Sequence, residues 1–285
     1  MSNINLPIES PLTSASSLLS SVVSQLDTSK PPSSEQLRQL QLVSSLLSGL
    51  DPYLDKVSSP APSVQRPLLK ATAEHDWAGA WDRKQTLFQL SAAWSAGAYE
   101  GNFVGLLTKL THAKKALEIG MFTGMTTVCI AQQLPEGGKV TALEIDPYLD
   151  EFTRPLFDQT GLGEKIDIKV GNAVDHLETI AKNILSDEEA YDIIFIDADK
   201  PGYKRYFQTI LDKGLLKRNG LLVVDNTLYK GTPWTEGLVD EKLLKIGKEN
   251  ADAIKEFNQV VRQDKRVEVV VLPVRDGVSL IMRNE

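Results

Sequence analysis

From residue 114 onward the chain alternates short β-branched runs with helical stretches, and this limits the possible folds more than any other feature. The runs cover residues 116–119, 140–145, 166–170, 191–196, 221–224, 267–272 and 278–282; helical stretches between them include 126–134, 173–185, 203–211 and 241–264. Strands separated by helices pair in parallel through crossovers, so the pattern predicts an α/β, doubly wound, mostly parallel sheet of seven strands. Only residues 273–277 separate the last two runs. That link is too short for a crossover, so the last strand is expected to be antiparallel.

The first part of the chain differs in composition. Of 21 serines, 17 lie within the first 63 residues, which makes 1–32 a low-complexity segment expected to be mobile or loosely docked. Ser33 and Gln36 have the spacing of a capping box. Leu37, Leu40, Val43, Leu47, Leu50, Leu54 and Val57 then recur at helical spacing, interrupted by Gly49 and Pro52, with Asp51 suited to cap a second short turn. Residues 33–113 are thus expected to be helices packing on the core or on a partner subunit, and 114–285 the catalytic core. Trp77 and Trp81, four residues apart, are expected on one helix face. The net charge of −7 argues against a nucleic-acid partner. No run of 18 apolar residues appears, no basic leader precedes the uncharged stretch at 11–26, and the expectation is a cytoplasmic protein without a membrane span. A single cysteine, Cys129, and three scattered histidines (His75, His112 and His176) disfavour a Cys- or His-based metal site, so any metal would be a hard cation on oxygen ligands.

In an open parallel sheet, ligands bind beyond the carboxyl ends of the strands. The first strand runs into Glu118-Ile119-Gly120-Met121-Phe122-Thr123-Gly124-Met125-Thr126. This is not the G-x-G-x-x-G of a dinucleotide site, which disfavours a nicotinamide-dependent oxidoreductase. Gly120 permits a tight turn and close approach of a ligand, and the next helix offers free N–H groups to a carboxylate or phosphate. The second strand ends at Glu144-Ile145-Asp146-Pro147. Glu144 is placed to accept from ribose hydroxyls, while Asp146 can cap the helix opening at Pro147. The fourth and fifth strands end at Asp197-Ala198-Asp199-Lys200 and Asp225-Asn226-Thr227. Neighbouring strands would bring Asp197 and Asp225 together, and two such carboxylates repel unless a proton or cation is shared. A divalent cation with open positions suits Asp197, Asp225 and Asn226.

These segments, with 191–203 (YDIIFIDADKPGY), 220–228 (GLLVVDNTL) and 272–277 (LPVRDG), resemble the cation-dependent, S-adenosylmethionine-dependent O-methyltransferases, the group of caffeoyl-CoA and catechol O-methyltransferases. The resemblance spans about residues 94–283 and implies a Rossmann-like methyltransferase core. It implies Asp197, Asp225 and Asn226 as ligands of magnesium, or of manganese or calcium. It implies Glu118, Gly120, Met121, Thr126, Glu144, Ala173, Asp197 and Asp199 around the methyl donor, and Lys200, with Asp197, at the reacting oxygen. The expected reaction is methyl transfer to a hydroxyl of a vicinal-diol aromatic of catechol, caffeoyl or flavonoid type, by a homodimer. Tyr229, Lys230 and Trp234 follow the metal motif and are expected against the acceptor; plant members carry Asn where Lys230 stands. A competing reading is a non-catalytic nucleoside-binding protein on the same fold, which predicts loss of Asp197, Asp225 or Lys200; all are present.

Overall fold

The computed structural model describes residues 11–235 and 247–284. Its strands are β1 (Lys115–Ile119), β2 (Lys139–Glu144), β3 (Ile166–Val170), β4 (Tyr191–Ile196), β5 (Leu216–Val224), β6 (Val267–Leu272) and β7 (Val278–Arg283). They form one sheet in the order β3-β2-β1-β4-β5-β7-β6. Pairing is parallel from β3 to β5, and β7 runs antiparallel to both of its neighbours. Strand order reverses between β1 and β4, so the crevice for a ligand opens at their carboxyl ends.

Both faces of the sheet are covered, which is why Ile193, Ile194, Phe195 and Ile196 are all buried despite pointing alternately to opposite sides. One face packs under α8 (Ala173–Ala181), α9 (Tyr203–Asp212) and α10 (Gly247–Gln263), through Leu177, Phe207 and Phe257. The other packs under α5 (Gly97–Leu110), α6 (Met125–Gln133) and α7 (Pro147–Thr160), through Val104, Val128 and Phe157. Cys129 is a buried core residue of α6. Expected residues 241–246 of the last helix lie outside the described residues. The helix expected to reach 185 ends at Ala181, and β5 begins five residues earlier than expected because Leu216 pairs with Tyr191 across a register shift.

The chain divides into two units, 1–60 and 61–285. In the first, the segment expected to be mobile or loosely docked contains α1 (Pro11–Ser24), whose Ala15 and Leu18 are buried in a small cluster with Val43. The reason is that Ala15, Leu18 and Val22 lie on one helix face, a pattern hidden among serines. In α2 (Ser34–Val57) the Ser33–Gln36 capping box forms, but the helix continues through Pro52 instead of breaking at Asp51. Its buried edge is Val43 with Leu42 and Leu46, while Leu37, Leu47 and Val57 of the expected stripe are exposed. In the second unit, α3 (Arg66–Glu74) and α4 (Trp77–Asp82) precede α5. Trp77 is buried against His75, Phe122 and Phe152, whereas Trp81, on a six-residue helix, is 40 % exposed. The imidazole of His75 bonds Tyr148. No helix among the described residues is long and apolar enough to cross a membrane.

Candidate active site

The cleft at the switch point is lined by the β1–α6 turn, the ends of β1 and β4, and the Trp94-Ser95-Ala96 segment before α5. Gly120 has φ +92°, and a Cβ there would lie 2.2 Å from the carbonyl oxygen of Asp197. The close approach it permits is therefore by the chain's own β4 backbone. Gly124, at φ +75°, brings the start of α6 against the ring of Phe157. With both glycines in place, Met121, Thr123 and Thr126 face the cleft. The hydroxyl oxygens of Thr123 and Ser95 are buried there without a partner among the described residues, which suits a polar ligand.

Two carboxyls define this side. Glu118, 1 % exposed, accepts from the Thr127 hydroxyl, and burial pushes its pKa up to about 8. Glu144 accepts from the backbone N–H of Phe122 (2.8 Å) and of Asp146 (3.0 Å); burial raises its pKa and these two bonds oppose the rise. Asp146 caps α7 through Tyr148 N–H (3.0 Å) and also accepts from Leu87 N–H (2.7 Å), in keeping with its expected structural role. Ala173 opens α8, capped by Asn172.

The other side lies at the ends of β4 and β5. Their register pairs Ile196 with Val224, so Asp197 and Asp225 emerge side by side, tied by the Asp225 N–H to Ile196 carbonyl bond of 3.0 Å. Asn226 follows at φ +58°, a left-handed conformation Asn tolerates better than most residues, and its N–H donates to Asp225 Oδ1. Lys200 Nζ donates to Asp197 Oδ1 (2.9 Å), Ala198 O (3.1 Å) and Tyr203 Oη (2.7 Å). Asp199 accepts from Tyr206. Asp225, 4 % exposed, has a carboxyl raised well above the usual range, first by burial and then by the charge of Asp197. Its neighbour is Glu100 from α5, which shares a hydrogen bond with it and is raised by the same burial. Asp197, Asp225 and Asn226 offer oxygen donors of the kind a hard cation takes, although no group of three or more His, Cys, Asp or Glu among the described residues is placed to hold a metal ion.

Residues 74–284 match the family model described as O-methyltransferase. The chain belongs to the O-methyltransferase family. It is 34 % identical over 222 residues to caffeoyl-CoA O-methyltransferase 2 of Eucalyptus globulus, covering 78 % of this chain and 82 % of that one. To the caffeoyl-CoA O-methyltransferase of Zinnia elegans it is 35 % identical over 225 residues, covering 78 % and 83 %. The fold is that of the SAH-bound methyltransferase of Podospora anserina, with a TM-score of 0.69 and 24 % identity over 91 % of this chain and all of that one. It is also that of the Bacillus cereus O-methyltransferase solved with SAH, with a TM-score of 0.66 and 24 % identity over 83 % and 97 %. The chain is an S-adenosylmethionine-dependent O-methyltransferase.

The expected acceptor residues of this O-methyltransferase lie on one loop, with Lys230 Nζ 5.5 Å from the centroid of the Tyr229 ring, but differ in exposure. Tyr229 is 8 % exposed, packed in the sheet's core, with its hydroxyl accepting from Asn250 Nδ2 at 2.9 Å. Loop residues turn inward here because Lys230 and Tyr229 both have positive φ. Lys230 is exposed, its N–H held by Asp276, and Trp234 is 63 % exposed. Trp94, 55 % exposed beside Phe122, does line the cleft.

Sequence reasoning missed three contributors. Thr127 holds Glu118. The turn between β6 and β7 holds the loop after Asn226, since Thr227 and Leu228 N–H donate to Gly277 and Asp276 carbonyls, each at 2.9 Å. Glu100 carried a usable signal: it stands four and eight residues before Val104 and Thr108, on the buried face of α5, where an acid is out of place.

Proposed function

We propose that this enzyme transfers the methyl group of S-adenosylmethionine to one hydroxyl of a vicinal-diol aromatic, catechol, caffeoyl or flavonoid in type, with the help of a divalent cation. The observation that carries the reading is the convergence of Asp197 and Asp225 at neighbouring strand ends, with Lys200 bonded to Asp197, next to a cleft lined by Glu118 and by Phe122, whose N–H donates to Glu144. The names of the curated relatives support an acceptor of the caffeoyl class.

On the donor side, Glu144 accepts from the ribose hydroxyls with its oxygens already aimed by two backbone donors. The Thr123 and Ser95 hydroxyls serve the polar end of the donor. Asp197, Asp225 and Asn226 would hold the cation, which when bound supplies positive charge favouring the ionised form of the acceptor hydroxyls. Lys200 already carries an ion pair with Asp197, and its ammonium suits holding an anionic acceptor oxygen rather than taking a proton. The acceptor hydroxyl gives its proton to solvent water, and a C–O bond forms as the S–C bond breaks and its electron pair stays on sulfur. Little further chemistry is asked of the protein, so the main acceleration comes from orientation, which can supply about 7–11 kcal/mol. Lys230 and Trp234, exposed on the loop after Asn226, bias the choice of acceptor tail in this reading. The assembly is a homodimer in this reading, testable by sedimentation.

Transfer of labelled methyl to catechol, caffeate, caffeoyl-CoA and a flavonoid, with and without EDTA, tests the proposal. Activity that EDTA abolishes and Mg²⁺ or Mn²⁺ restores is expected. Full turnover in excess chelator overturns the cation's part, and no transfer to any vicinal diol overturns the acceptor class.

A further inference from the structure

We propose that the α1–α2 hairpin is the surface through which this protein pairs with a second copy of itself: α2 packs against the other copy's α2 in an antiparallel, two-fold contact centred on Leu47. The surface lies within residues 1–60 and takes no part in methyl transfer; of the reading above it rests only on the homodimer.

The hairpin has two apolar faces and closes only one of them. Ala15, Leu18 and Val22 of α1 are buried, the first two against Val43 of α2 with Leu42 and Leu46 beside it. The turn between the helices is tied where the Gln36 side-chain amide donates to the Gln25 carbonyl (3.1 Å). A second stripe runs alongside on each helix. On α1, Leu12, Leu19 and Val23 fall within about 40° of one another at 100° per residue, and about 90° from the buried face. On α2, Leu37, Leu40, Leu47, Leu54 and Val57 form a stripe displaced by about 90° in the same rotational sense. Because the helices are antiparallel, both stripes come to the same side of the hairpin. Leu12, Leu19, Val23, Leu37, Leu47 and Val57 are each 41–59 % exposed. With half-buried Leu40 and Leu54 they present on the order of 600 Å² of apolar surface, the upper end of what a monomer leaves in water. Pairing two copies removes about 1,200 Å² from these side chains alone, which reaches the range of stable, specific interfaces.

The spacing of the α2 stripe names the occupant. Its intervals are three, seven, seven and three residues, symmetric about Leu47. An antiparallel two-fold therefore sets Leu37 against Val57 of the second copy, Leu40 against Leu54, and Leu47 against itself. Such self-complementarity is what an isologous contact requires, and Leu40, Leu47 and Leu54, seven apart, suit helices that wrap around each other. A lipid surface is poorly matched. The α1 helix carries no charged residue, and on α2 Arg38 and Lys56 are outnumbered by Glu35, Asp51 and Asp55, whereas helices that lie on membranes are rich in Lys and Arg.

The test is sedimentation equilibrium of the full-length protein, wild type against Leu47→Glu, Leu47→Lys and an equal mixture of the two. Leu47 is exposed in mid-helix and both replacements are good helix formers, so helix content by circular dichroism should not change. Wild type is expected at twice the chain mass of 31.4 kDa. Each variant alone sets two like charges together at the two-fold and should raise the dimer dissociation constant about a hundredfold or more. The mixture should restore the dimer, because opposite charges then meet. Tyr53→Glu, exposed but off the stripe, should pair as wild type does. Unchanged dimerisation of Leu47→Glu overturns this surface and leaves the homodimer standing. Variants that are monomeric alone and stay monomeric when mixed overturn the two-fold at Leu47. A monomeric wild type overturns both the surface and the homodimer, and its flotation with phosphatidylserine vesicles would give the face to lipid instead.

Discussion

The two walls of the cleft handle buried acid in opposite ways. On the β1–β2 side, Glu118 and Glu144 are buried but served by donors of the protein itself. On the β4–β5 side, Asp197, Asp225 and Glu100 crowd together, and two of them are joined by a bond that requires a retained proton. The carboxyls of the first wall are held by the protein before any ligand arrives, so they contribute preorganised orientation. The second is electrostatically incomplete, and positive charge relieves it. A methyltransferase gains from both. The donor has to be held in one pose, whereas the acceptor oxygen has to be ionised and then released.

The contrast can be broken most directly at Asp225. Asp225→Ala should remove nearly all turnover, a loss of about 10³-fold or more, as for groups that stabilise developing charge. SAH affinity measured by calorimetry should stay near wild type. A variant that keeps turnover, or loses SAH binding as severely, would show that the walls are not separate.

At Glu144 the effect should be smaller and on the other ligand. Glu144→Ala is expected to weaken S-adenosylmethionine binding by about 1.5–3 kcal/mol, the range for hydrogen bonds to a charged group. Its Mn²⁺ affinity should not move. Unchanged donor affinity would discard Glu144 as the ribose contact.

The pH dependence of stability sharpens the comparison further. Glu118, Glu100 and Asp225 all have folded pKa values raised by burial above their unfolded ones. Between an ordinary glutamate pKa near 4.5 and about 8 for Glu118, the folded state holds more protons than the unfolded one. Stability of the ligand-free protein should therefore rise as pH falls from about 8 toward 5, because the contribution is fully present below the unfolded pKa and is lost through the folded one. Urea melts should show a shallower slope for Glu118→Gln. Added Mn²⁺ should flatten the part due to the β4–β5 side only. A slope of opposite sign in wild type would contradict the burial of these groups in neutral form.

The smallest effect is expected at the rim. Lys230→Ala should reorder acidic against neutral catechols by a few-fold in kcat/KM, since an exposed ion pair is worth about 0.2–1 kcal/mol, with donor affinity unaffected. An identical ranking would leave Lys230 without a part in selectivity.

Much of this enzyme was legible along the chain. Alternating β-branched and helical runs determined the parallel sheet, because periods of two and 3.6 bury different faces. The five residues between the last two runs were too few for anything but a hairpin. The strand-end acids were legible because topology places every parallel strand end on one side of the sheet. What the chain could not reveal depends on groups distant in sequence. Gly120 is required by the Asp197 carbonyl, 77 positions away, rather than by a ligand. Tyr229 reads as a stacking aromatic, yet positive backbone φ and packing under α10 turn it into the core. Leu18 and Val22 read as part of a serine-rich tail until α2 provides a surface on which to bury α1. Glu100 is a single acid in an apolar helix until α5 is pressed against α6. Local periodicity determines which faces are apolar; only tertiary packing decides which neighbours meet them, because a burial cost or a shared proton exists only once two segments are in contact.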